Sequence, residues 1–392
     1  MLVQVFNSTI VSGPETLVVP ALPLVRDQGV AVTVVLLCES RREAESRKVV
    51  DWVKSFGLPV REIWIRSRID RKAVQEFSNL LEELHATIVH SHDVKASTYT
   101  LSATRISEKR GARNWKILST HHGVRGRSGF KVKAYEWFYS RFILPSFDRV
   151  LAVCTSDRKL LVDRGLKDDQ VIAHLNGVDR TLVPIAERPE RSRQIRSQWK
   201  LSEKGITPDT VLVGFVGRLS PEKRLNRILE VVSLIEKSGK NLPNWRLVVF
   251  GSGALESELH QQCRDLGLDH RVNWMGYRTG LGNELCGFDI VISMSDAEGL
   301  PINLIEAGWG ATPVFATQVD GNLDLMPNSD LGVLVPVESP NQRFADELTE
   351  LIANRAGREK MGPAFQAHVA RSFSGKRWVT DLISIYRGLE KS

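Results

Sequence analysis

The stretch DIVISMSDAEGLPINLIEAGWGA, Asp289 to Ala311, packs a strand, a turn and a helix into one junction. Asp289 to Met294 is a short apolar run that reads as a strand. A polar turn broken by Gly299 and Pro301 follows, and a helix is expected from near Ile302, with Pro301 suited to its first turn. Glu298 lies before the turn and Glu306 inside the helix. Backbone N–H groups and the helix dipole converge on such a junction and make it an anion site. Two acids beside it suggest a phosphorylated ligand whose neutral hydroxyls meet the carboxylates.

The same alternation extends in both directions. Upstream, Val211 to Val216, Trp245 to Phe250 and Val272 to Trp274 read as strands, with helices at Arg224 to Lys237 and Leu255 to Leu266. Downstream, Thr312 to Ala316 and Gly332 to Val335 continue the pattern. In the first half Leu2 to Phe6, Ala31 to Leu37, Val60 to Ile65, Thr87 to His90, Trp115 to Thr120 and Arg149 to Cys154 are strand-like, mostly separated by amphipathic segments. The mixed, charged stretch Val183 to Pro208 interrupts the alternation and is taken as the domain junction. The expected fold class is α/β, with two doubly wound Rossmann-like domains facing a cleft. Their expected ranges are 1–190 and 191–374, and an amphipathic helix from Gly375, within 375–392, crosses back to the first domain.

Composition narrows the function classes. A chain of 392 residues with 42% hydrophobic content folds, and two domains are the default at that length. Net charge of +7 points to an anionic partner: nucleotide phosphate, anionic membrane or nucleic acid. Cys38, Cys154, Cys263 and Cys286 are scattered, with neither a disulfide framework nor zinc spacing, which fits reduced thiols in the cytoplasm. No apolar run approaches the roughly 20 residues that span a bilayer, and no signal-peptide order is seen, so membrane association is expected to be peripheral.

GRLSPEK, Gly217 to Lys223, directly follows a strand. Ligands of open α/β sheets bind at the carboxyl ends of strands, where Arg218 and Lys223 could neutralise a diphosphate or be ordinary surface cations. Glu306 could take both hydroxyls of a ribose, or be an early-turn acid favoured by the helix dipole. Gly251 and Gly253 form a lone GxG, which a tight turn also explains. Ser12-Gly13-Pro14-Glu15 could bring backbone close to phosphate, or only start a helix. His90-Ser91-His92-Asp93 and His121-His122 end two strands; for His90 and His121 a satisfied structural role is favoured. Val124 to Pro145 carries Arg125, Arg127, Lys131, Lys133 and Arg141 among Phe130, Tyr135, Trp137, Phe138, Tyr139 and Phe142. It could lie on an anionic bilayer, while burial of at least half its aromatics is expected.

Taken together, these motifs resemble the retaining nucleotide-sugar glycosyltransferases of family four, the group 1 enzymes of GT-B architecture. EGLPINLIE with its Glu298-x7-Glu306 spacing carries most of the resemblance, and AGWGATPVFAT, GRLSPEK, GSGALESEL, RVNWMGYR and LNGVD follow the family's order. The resemblance implies that Arg218 and Lys223 bind the donor diphosphate and stabilise its departure, and that Glu306 holds the ribose. It implies that Glu298, with Gly299, Leu300, Pro301 and Ile302, meets the transferred sugar and distal phosphate. Tyr277 and Arg278 would border the base, His92 would be the active-site histidine, and Gly13, Gly217 and Gly251 would lie in the glycine loops near the donor. Three positions depart from the pattern: Ser12 replaces a glycine, EGLP replaces EGFG, and Arg224 stands where a glycine commonly follows the lysine.

The implied activity is hexosyl transfer from a nucleotide diphosphate sugar to an acceptor hydroxyl, with retention, in lipid-linked glycan or surface polysaccharide synthesis. No cofactor or metal is expected; a UDP-sugar donor is favoured over a GDP-sugar. Arg125, Arg127, Lys131, Lys133 and Trp137 are the expected acceptor or membrane contacts, on a monomer or weak dimer at the cytoplasmic face. No nucleic-acid motif accompanies the charge. Competing readings are a sugar-nucleotide epimerase of the same architecture and a non-enzymatic basic membrane adaptor. A dehydrogenase is disfavoured by the absence of GxGxxG.

Overall fold

The computed structural model describes residues 1–7, 9, 11, 13–67, 69–122 and 137–391. The chain forms two compact units, one of Met1–Val124, Gly129–Gly177 and Gly375–Ser392, the other essentially Val178–Ser374.

The first unit is built on a parallel sheet of strands β1 (Leu2–Asn7), β2 (Val32–Glu39), β3 (Val60–Ile65), β4 (Ile88–Ser91), β5 (Lys116–His121), β6 (Arg149–Ala152) and β7 (Val171–Ala173), in the order 3-2-1-4-5-6-7. β1 is the pivot: Leu2 pairs with Val32 on one side and Ile88 on the other. Its burial on both faces explains its apolar character, because helices cover both sides of a parallel sheet. Val3, Val5, Val35, Leu37, Phe77 and Leu81 share one core, each contributing about 1.5–3 kcal/mol through burial.

The second unit repeats the plan with β8 (Val211–Val216), β9 (Trp245–Phe250), β10 (Val272–Gly276), β11 (Ile290–Ser293), β12 (Val314–Gln318) and β13 (Val333–Pro336), ordered 10-9-8-11-12-13 and parallel throughout. In both sheets the order reverses beside the first strand, between β1 and β4 and between β8 and β11. Loops at those switch points diverge and leave room for a ligand.

Two features differ from the sequence expectation. The division falls after Gly177 rather than at 190, since residues 178–188 are bonded into the second unit. Val178 N donates to Phe373 O (3.0 Å), Gln366 Nε2 to Val183 O (2.9 Å), and Arg188 Nη2 to Phe288 O (2.9 Å). The supposed junction also holds a helix, Arg188–Gln198. It lacks a long apolar stripe because arginines dock it: Arg188 and Arg196 donate to the carbonyls of Gly310 and Gly287. Within the first unit, the C-terminal helix Gly375–Lys391 buries Trp378, Leu382 and Tyr386.

Candidate functional site

β8 and β11 end side by side, and the loops after them are stitched together. Lys223 Nζ lies 2.6 Å from Glu298 Oε1, which also accepts from Ser295 Oγ at 2.6 Å. Arg224 Nε donates to Asp296 Oδ2 (2.6 Å), and Asp296 N to Glu222 O (3.1 Å). Lys223 and Glu298 are mostly buried, so each neutralises the other in a medium where an unpaired charge is costly. Arg218, by contrast, is 71% exposed, its side chain contacting Glu222 at 3.3 Å among the described residues. It is the cation of the loop best placed to turn to an incoming anion.

Two glycines explain how the loops come so close. A Cβ on Gly251 would overlap the carbonyl oxygen of Gly217, and one on Gly321 the carbonyl oxygen of Gly299. The first is consistent with the turn reading of GxG; the second, in the helix Asp320–Leu325, was not singled out by sequence. Gly217 N donates to Phe250 O (3.0 Å), fixing the start of GRLSPEK against β9. Leu300 is buried and Ile302 opens the helix Ile302–Trp309. Pro301 is its N-cap, one step earlier than expected, with extended backbone.

Glu306 is joined instead to Arg180. Nε and Nη2 of Arg180 both reach Glu306 Oε1, at 2.9 and 2.6 Å. Burial pushes the Glu306 carboxyl above its usual range, against the pull of that guanidinium. The helix-dipole explanation does not fit, because Glu306 is the fifth residue of its helix and is committed to a cation from another segment. Gly282 packs against the pair, where any Cβ would strike both side chains. Arg180 escaped the sequence reading although it directly follows LNGVD, and that adjacency was the available signal. Arg278 Nη2 donates to Glu284 Oε1 (3.0 Å), and Tyr277 is exposed.

The first unit places its candidates around β1 and β4. Gly13 opens the helix Gly13–Val18, and a Cβ there would meet nothing within 4 Å among the described residues. His92 is buried, stacks on Phe6 (centroids 4.4 Å apart) and places Nε2 2.6 Å from Gln4 Oε1. Burial holds its ring well below the ordinary imidazole range, hence neutral. His90 has both ring nitrogens engaged, with Tyr386 Oη (2.8 Å) and Thr120 Oγ1 (2.7 Å), as a structural histidine should. Asp93 caps the helix Val94–Lys109 through Ala96 N (2.8 Å) and ties in Asn7 N (2.9 Å).

Arg125, Arg127, Lys131 and Lys133, like Ser12, lie outside the described residues. Trp137, Phe138 and Phe142 are each about half exposed, while Tyr139 is buried with its hydroxyl on Ser97 and Ser119. Among the four described aromatics of this segment only Tyr139 is buried and the other three pack on one another; Phe130 and Tyr135 lie outside the described residues, so the expected burial of at least half of the six is neither met nor overturned. No described helix is long and apolar enough to cross a membrane.

Comparison with known proteins agrees with this layout. The family Glycosyl transferases group 1 matches residues 197–368, and Glycosyltransferase Family 4 matches residues 11–182. A putative glycosyltransferase of Bacillus subtilis, EpsD, is 23% identical over 85% of this chain and 84% of its own. An Escherichia coli UDP-Gal:alpha-D-GlcNAc-diphosphoundecaprenol alpha-1,3-galactosyltransferase is 24% identical over 73% of this chain and 71% of its own. Among solved structures, Anabaena HepE in complex with UDP and glucose superposes with a TM-score of 0.79 at 16% identity, covering 99% of both chains. That likeness establishes the GT-B fold.

Proposed function

The chain is a glycosyltransferase of the family 4, group 1 type, and from that premise we propose that it moves a hexosyl group from a nucleotide diphosphate sugar to an acceptor hydroxyl with retention of configuration. The observation that carries the reading is the Lys223–Glu298–Ser295 cluster at the β8/β11 switch point, with exposed Arg218 beside it. Lys223 and Arg218 supply the positive charge that a departing nucleoside diphosphate needs, work a metal ion would otherwise do. Glu298 holds Lys223 in place and, with the amides of the Gly299 to Ile302 turn, meets the sugar and distal phosphate. Glu306 accepts from the ribose hydroxyls. His92, neutral, accepts a hydrogen bond from a hydroxyl of the transferred sugar.

In the step itself the acceptor oxygen bonds to the anomeric carbon on the face the diphosphate leaves. The carbon–oxygen bond to phosphate breaks with its electron pair, and a phosphate oxygen takes the acceptor proton. The products are a glycoside and a nucleoside diphosphate. A UDP-sugar is the favoured donor, in keeping with the UDP held by HepE and the UDP-Gal named for the Escherichia coli relative.

The acceptor reading is a lipid-linked glycan, as in that relative. A cavity of about 710 Å³ in the first unit supports it: Ile65, Val94, Tyr99 and Phe138 line it together with Arg41 and Arg66. Apolar surface beside cations suits an amphiphile with an anionic head. The cavity begins two residues from His92, at the start of the helix Val94–Lys109. Incubation with UDP-, GDP- and ADP-sugars and a polyprenyl diphosphate glycan, with product stereochemistry read by NMR, tests the reading. Retained configuration with a UDP-sugar is expected; inversion excludes the mechanism.

A further inference from the structure

Gln4 is fully buried in the middle of β1, where an unbonded amide would cost several kcal/mol. It sits opposite His90 in the β1/β4 register, and His92, two residues on, shares that face. Tyr386 of the C-terminal helix reaches the same face. Gln4 Nε2 lies 2.8 Å from Tyr386 Oη, Gln4 Oε1 2.6 Å from His92 Nε2, and Tyr386 Oη 2.8 Å from His90 Nδ1. The chain ends at Thr120 Oγ1, 2.7 Å from His90 Nε2.

The unpartnered ring nitrogen of His92 sets the direction of donation through this network. His92 Nδ1 is buried and has no partner among the described residues. A neutral ring carries one N–H; placed on Nδ1 it would be a buried donor with nothing to bond, which is rarer in proteins than a buried acceptor left over. The proton therefore belongs on Nε2, donating to Gln4 Oε1. Gln4 Nε2 then donates to Tyr386 Oη, Tyr386 O–H to His90 Nδ1, and His90 Nε2–H to Thr120 Oγ1. Each nitrogen and oxygen of this network then has a partner except His92 Nδ1, whose lone pair a hydroxyl-bearing ligand would complete.

We propose that Tyr386, acting through Gln4, is a positioning residue that fixes the tautomer and orientation of His92 and keeps its Nδ1 lone pair for a hydroxyl of the transferred sugar. The C-terminal helix is then part of the active-site machinery, because it supplies the hydroxyl that sets the amide. The last clause rests on the proposed role of His92; the tautomer itself does not.

The test uses the full chain with 15N-labelled histidine, comparing wild type with Tyr386→Phe, which keeps the ring and removes the hydroxyl, and Gln4→Met. Glu390→Gln, which alters the exposed contact of the same helix with Thr87, is the packing control. Wild-type His92 is expected as a single Nε2–H tautomer, and both relay variants as a mixture. With UDP-glucose as probe, their turnover is expected to fall about tenfold, the scale of one lost hydrogen bond, with KM within about twofold. The Glu390→Gln variant keeps both properties. A wild-type Nδ1–H tautomer, or wild-type His92 signals in Tyr386→Phe, overturns the proposal. Altered ring signals with unchanged turnover uphold the relay and remove His92 from contact with the sugar.

Discussion

The two switch points share a topology and differ in chemistry. Between β1 and β4 the polar groups are neutral: two histidines, an amide, a phenol and a hydroxyl, all buried and joined by hydrogen bonds. Just beyond β8 and β11 they are charged, paired as Lys223–Glu298 and Arg224–Asp296, with Arg218 free to reach solvent. Depth explains the difference. Gln4 and His90 are strand residues sealed against the sheet, where desolvation expels charge; the second group stands on loops past the strand ends, where water screens part of the cost. The first arrangement suits recognition of neutral hydroxyls, and the second suits phosphate.

Removing the lysine is the strongest way to break that contrast. Lys223→Ala deletes a diphosphate donor and leaves Glu298 mostly buried without its cation, so turnover is expected to fall about 10²–10³-fold in steady-state assays. The neutral region is broken instead by acid. Burial lowers the His174 ring to about 4, and lowers those of His90 and His92 well below their ordinary value. Unfolded histidine takes up its proton near pH 6.5 while the folded rings hold off, so stability is complete above that pH and lost as pH falls towards 4. His174 contributes about 1.4 kcal/mol per pH unit across that window, and His90 and His92 act in the same direction; a flat melting temperature from pH 7 to 4.5 would contradict this.

Arg180→Ala sharpens the comparison on the charged side. Without its cation the Glu306 carboxyl rises further and is protonated over more of the acid range. Donor affinity is expected to drop about tenfold, most severely at low pH, and Glu306→Gln should remove that pH dependence; calorimetric titration with UDP measures both. The smallest effect belongs to Arg224. Its backbone is left-handed (φ 53°, ψ 36°), a conformation that glycine adopts without strain. Arg224→Gly relieves roughly 1 kcal/mol of strain and gives up a half-exposed pair worth about 0–1, so the melting temperature is expected to move by no more than about 3 °C.

The βα alternation was legible because strands buried on both faces are written as continuous apolar runs, and twelve of them lay close to their final bounds. β7, three residues long, was too short to register. The helix Arg188–Gln198 escaped for another reason: arginine-to-carbonyl contacts hold it, and these leave no hydrophobic period to read. At the candidate site, Lys223, Glu298 and Glu306 were named from motifs, whereas Ser295, Arg180, Gly321 and Gln4 were not. Arg180, Gly321 and Gln4 act through partners outside their own motif, Arg180 being 126 positions from Glu306 and Gln4 being 88 from His92; Ser295 is only three residues from Glu298, but nothing local marks a serine as its donor.

The sequence alone determined two Rossmann-like sheets and the loops that carry chemistry, because apolar periodicity and strand-end motifs are local properties. Only the tertiary structure decided how those loops are charged. It gave Glu298 a lysine, gave Glu306 an arginine and left His92 neutral, because burial and pairing depend on which distant segments meet.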